Sequence, residues 1–95
     1  MTDEILAMLL EALKVDLGIR TTAYDSRLNQ YIQNAAEQIT IEGVTLDYAR
    51  ASDQQLVVMY AQWTWRRRDT GEGMPRMLRY TLNNRIFSEK AKVGE

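Results

Sequence analysis

The stretch DQQLVVMYAQWTWRRR, residues 53–68, constrains the fold of this chain more than any other. Its residue types suit a helix, and on a helix Trp63 and Trp65, two positions apart, point roughly 200° away from each other. Leu56, Tyr60 and Trp63 fall on one side, while Val58, Ala61 and Trp65 fall on nearly the opposite side. A helix that is apolar on opposed sides has two solutions. Either it is central in a helical bundle and buried all round, or one ring belongs to a contact with another chain, where large aromatic side chains often anchor binding. The boundaries of this helix are signed: Ser52 and Gln55 have capping-box spacing, Asp53 falls in the first turn, and Arg66, Arg67 and Arg68 complement the dipole in the last turn before Gly71.

Three further segments carry a helical period. Residues 3–17 have Thr2 as N-cap, Asp3 and Glu4 in the first turn and Gly18 just beyond the end. Ile5, Leu6, Leu9, Leu13 and Leu17 form the main stripe. Met8, Ala12 and Val15 add a second strip, more apolar surface than one neighbour covers. Residues 23–42 read as the next helix, with a Thr22–Asp25 capping box, an inward stripe of Leu28, Ile32, Ala35 and Ile39, and an outer face of Asn29, Gln30, Gln33, Asn34 and Gln38. Amides suit either a solvated face or a contact surface where charge is costly to desolvate.

Ile39 to Tyr48 alternate partly around Glu42 and Gly43, as a short hairpin does. An isolated hairpin is marginal, so the preferred reading is a helix end followed by an irregular loop in which Val44, Leu46 and Tyr48 close one end of the core. Residues 75–88 begin at Pro75 and place Leu78, Leu82 and Ile86 at steps of four, with Tyr80 and Phe87 off that line. Ser88 to Glu95 is expected to fray. The four helices predict a small all-α four-helix domain spanning residues 1–95, with short loops.

The absence of both cysteine and histidine removes disulfides, thiolate chemistry, most transition-metal sites and the usual general base. The carboxylates show no paired spacing tied to a cleft, and there is no phosphate loop, so neither enzyme nor cofactor is expected. No apolar run approaches the roughly 20 residues that cross a bilayer, and the start MTDE lacks the basic region of a secretory signal; a soluble, unexported protein is expected.

Charge is unevenly placed. Residues 1–49 hold three basic and eight acidic side chains and residues 50–95 hold nine and five, giving −5 and +4. Arg66, Arg67, Arg68, Arg76, Arg79 and Arg85 raise a nucleic-acid reading, with Trp65 stacking on a base. Against it, the chain is net −1 and the loop before Pro75 is too long and glycine-rich for a helix-turn-helix. Pairing of these arginines with Asp69, Glu72 or acids of the first half is the plainer expectation.

The order LKVDLGI (13–19), YDSRLNQYIQNAAEQI (24–39), DQQLVVMYAQWTWRRR (53–68) and MPRMLRYTLNN (74–84) resembles the small head-tail connector proteins of tailed bacteriophages, also called head-completion or adaptor proteins. The resemblance implies a non-catalytic helical adaptor, made in the host cytoplasm, that joins copies of itself into a ring beneath the portal. DNA passes through the channel without being read. Loops and the C-terminal segment would face the portal protein, and other surfaces the next connector or stopper protein. An acidic first half and a basic second half suit head-to-tail contacts between copies. On this expectation Val58 and Trp65 form the apolar centre of a contact, with Arg66, Arg67, Arg68 and Arg76 as its charged rim. The alternative is a small DNA-binding or regulatory phage or prophage protein.

Overall fold

Thr2 opens the first helix by accepting a hydrogen bond from the Ile5 N–H on its Oγ1, 3.2 Å away. In the computed structural model, which describes residues 1–93, this helix, α1, runs Asp3–Leu17. Gly18 ends it in the left-handed region at φ 71°, where a side chain would be strained, and Ile19 N–H bonds back to Lys14 O at 2.9 Å. Both ends lie where the residue pattern predicts.

Helix α2 runs Asp25–Ile41, inside the expected 23–42. The Thr22–Asp25 capping box does not form: Tyr24 holds the cap position without a side-chain bond, and Thr22 offers only its backbone carbonyl to Asp25 N–H. Asp25 turns instead toward α1, with Lys14 Nζ 2.9 Å from its Oδ1. Leu28, Ile32, Ala35 and Ile39 are buried as expected, joined by Ala36. The segment from Glu42 to Arg50 is an irregular loop, not a hairpin, and no strand occurs among the described residues. Val44 is buried there, and Leu46 and Tyr48 pack half-buried against the core.

Helix α3 runs Ala51–Thr70, longer at both ends than the expected 53–68. Its cap is Arg50, which makes no side-chain cap bond, so the Ser52–Gln55 box is also corrected. The first turn is organised by inward side chains instead. Asp53 Oδ2 accepts from Asp47 N–H at 2.8 Å and Gln54 Nε2 donates to Tyr48 O at 2.6 Å, tying the preceding loop to the helix. Gly71, at φ 67°, closes α3 with its N–H on Arg67 O.

Helix α4 runs Arg76–Val93. The stretch from Ser88 to Val93, expected to fray, is helical. An ion pair between Arg85 and Glu89, one turn apart, supports this end. Residues 94 and 95 of the expected frayed tail lie outside the described residues.

The result is an all-α four-helix arrangement in which α3 packs on α1, α2 and α4, and α1 also packs on α2. Leu9, Leu13, Leu28, Ile32, Ile39, Leu56, Val57, Leu78 and Leu82 are each 0–2% exposed. At about 1.5–3 kcal/mol for a fully buried aliphatic side chain, this cluster supplies the main drive for folding.

Candidate assembly surface

The two tryptophans that oppose each other on α3 are both covered from within the chain. Trp63 is 9% exposed, packs edge-on to Tyr60 with ring centroids 5.4 Å apart, and donates its Nε1–H to Glu72 O at 3.3 Å. That last bond folds the Gly71–Pro75 connector back onto α3. Trp65 is half-buried. Tyr31 and Tyr24 meet its ring in T-shaped contacts at 5.3 and 5.9 Å, and the Arg68 guanidinium lies 3.8 Å over it. Trp65 therefore joins the start of α2 to the end of α3, and α3 is the central helix.

Val58 was expected beside Trp65 at the centre of a contact, and this is corrected: it is 2% exposed and belongs to the core. Its side of α3 is covered because helices surround α3, and no surface of Val58 is left to offer a partner. Arg66, Arg67 and Arg68 are exposed, as is Arg76 in the first turn of α4. Arg67 lies 5.0 Å over the Trp63 ring, and Arg68 is 3.2 Å from Asp69 as well as stacked on Trp65. Of the six expected residues, Trp65 and Arg68 are thus in direct contact, while Arg76 stands on a different helix.

Beside them, Tyr31, Asn34 and Gln38 of α2 and Tyr60, Trp63, Thr64, Arg67 and Arg68 of α3 line an open groove. Two of the amides noted on the outer face of α2 thus face the arginines across it. Stacked guanidinium groups give this surface a positive rim over aromatic rings.

Residue patterns did not reveal the polar anchor of α4. Asp53, 1% exposed, accepts from Arg85 Nε at 3.1 Å and from Nη2 at 3.0 Å, a two-point grip. Arg85 Nη2 also donates to Thr45 O at 3.0 Å, so one guanidinium joins α4, α3 and the loop between α2 and α3. Burial alone would raise the Asp53 carboxyl. The bonds from Arg85 and the Asp47 N–H outweigh it, and its pKa is held below the ordinary value. The bonds that Arg85 donates to Asp53 raise its own pKa against burial. Farther along, Arg79 Nη1 meets Glu42 Oε1 at 2.8 Å. Partners 32 and 37 positions apart leave no local spacing signal, which is why sequence reading saw Asp53 only as a first-turn acid.

Among the described residues, α1 and α4 each carry exposed apolar side chains along an outward face. On α4, Met77, Tyr80 and Phe87 are 68%, 63% and 76% exposed. On α1, Met8 and Val15 are 43% and 71% exposed, with exposed Ala12 between them. No family model, curated protein or solved structure matches the chain.

Proposed function

We propose that this chain is a structural connector of a tailed-phage virion, joining copies of itself into a ring between portal and tail. On this reading its partners are other copies, the portal protein and a tail-side connector or stopper protein, with DNA as passing cargo. It works by contact at the head-tail interface, without catalysis or cofactor. The order of motifs over residues 13–84 suggests the family.

The observation that carries the reading is unburied apolar surface on both flanking helices. A folded monomer of 11.0 kDa is expected to expose about 5,600 Å². This chain exposes 6235 Å², with Val15, Met77, Tyr80 and Phe87 among its most exposed large side chains. Large apolar side chains exposed along one side of a helix mark interaction surfaces when they group together. The competing DNA-binding reading draws on exposed Arg66, Arg67 and Arg68, but Arg67 and Arg68 already lie over Trp63 and Trp65. Those rings are not free to stack on bases.

The test is co-sedimentation with a purified portal ring from the genome that encodes the chain, alongside titration with random duplex at low and moderate salt. Co-sedimentation with weak duplex binding is expected. Tight duplex binding with a steep salt slope and no portal association would overturn the reading in favour of the DNA-binding one.

A further inference from the structure

We infer that the two uncovered faces are complementary halves of one contact, in which α4 of one copy docks on α1 of the next. This rests on the proposed self-assembly, and it names the surfaces that carry it.

The apolar parts match in spacing. Met8 and Val15 on α1 are seven residues apart, as are Tyr80 and Phe87 on α4, a rise of about 10.5 Å in each case. Each pair therefore lies along one side of its helix, two turns apart.

Charge decides which face meets which. The exposed charged residues of α1 are Asp3, Glu4, Glu11 and Asp16, all acidic. Its one cation, Lys14, is drawn away to Asp25, with a side chain 12% exposed, and the next cation, exposed Arg20, stands beyond the C-terminal end of the helix in the cleft that Glu11 and Val15 also line. On α4 the internal pairs absorb Arg79, Arg85 and Glu89, leaving Arg76 and Lys90 as the exposed charged residues among its described side chains. Joining α1 to α1, or α4 to α4, would oppose like charges around the apolar centre. Joining α4 to α1 with the two helices running the same way sets Tyr80 beside Met8, Phe87 beside Val15 and Arg76 beside Glu4, whereas the opposite direction would bring Arg76 to Arg20. Such a contact uses two different patches, so each copy keeps one free α1 and one free α4 and assembly propagates to a closed ring or an open chain.

The absence of cysteine makes the pairing directly readable. Val15→Cys and Phe87→Cys, made singly in the full chain, alter side chains that are 71% and 76% exposed, so the core is untouched. Equal amounts of the two, mixed at millimolar concentration and oxidised, should give the mixed disulfide above its statistical share over both like pairs. Reversing the acids with Glu4→Lys and Glu11→Lys in the Val15→Cys chain should lower that yield about two- to fivefold, the range of a rim ion pair. Arg76→Glu with Lys90→Glu in the Phe87→Cys chain should then restore it. A statistical mixture of disulfides, or an excess of the Phe87→Cys like pair, overturns the inference. Portal association alongside a statistical mixture would sink this pairing and leave the connector reading standing. Mixed disulfide without portal association would do the reverse.

Discussion

Asp53 shows how much one side chain decides here. Its carboxylate is buried and gripped at two points by Arg85, which also holds Thr45 O. Asp53→Asn leaves a guanidinium with 14% exposure facing a neutral amide, and breaking a buried pair in this way costs about 3–5 kcal/mol. Urea unfolding should show that loss. Replacing both partners with apolar residues, Asp53→Leu with Arg85→Met, should recover part of it, because the guanidinium no longer faces a neutral amide while Glu89, 17% exposed, gives up its bond from Arg85. The pH dependence follows from the lowered Asp53 pKa. The ion-pair contribution is complete above the unfolded carboxyl value of about 3.9 and fades as pH falls through the lower folded value. The wild type should therefore lose stability more steeply than Asp53→Asn below about pH 4. Trp65 makes a second case at this scale. With Tyr24, Tyr31 and Arg68 around its ring, Trp65→Ser should cost about 2 kcal/mol in the monomer, less than a fully buried indole. Unchanged thermal stability would contradict a role for the ring in holding the monomer together.

At the scale of elements, helix ends were legible where one residue type has one use. Thr2 and Gly18 are of that kind, and α1 lies where they place it. Thr22 and Ser52 have a capping residue's chemistry too, yet neither caps: Lys14 holds Asp25, the acid of the Thr22 box, and α3 starts at Ala51, which puts Ser52 inside the helix. Spacing reports what a local bond would do and is silent about a competitor far along the chain. The stripes of α2 and α4 were legible because Leu28, Ile32, Leu78 and Leu82 repeat at helical steps on one side. For α3 the pattern showed apolar residues on opposed sides without saying what covers each, so Val58 was placed at a surface and proves to be core. Of the candidate surface, the exposed arginines near Trp65 and the second apolar strip of α1, Met8, Ala12 and Val15, were legible; the α4 face, off the Leu78–Leu82 line, needed the packing. It also carries a prediction. Tyr80→Ser with Phe87→Ser should change monomer stability by no more than about 0.5 kcal/mol per site, whereas Leu82→Ala should cost about 2–5 kcal/mol. Chemical denaturation of both reads the contrast, and a large loss from the Tyr80 and Phe87 pair would place those rings in the fold.

The whole molecule is more extended than its length requires. Its radius of gyration is 13.6 Å against about 12.4 Å expected for a compact domain of 95 residues, and its extents are 47 × 31 × 18 Å. That shape leaves α1 and α4 with outward faces that α3 does not cover, and among the described side chains the exposed charges on α1 are acids and those on α4 outside its internal pairs are cations. A chain of this design is proposed to be complete only between neighbours. Native mass spectrometry of the full chain with purified portal ring addresses this most directly. Portal complexes carrying one fixed number of copies are expected, reduced to lower and mixed occupancies by Phe87→Glu. Free monomer beside unoccupied portal at every concentration would contradict it.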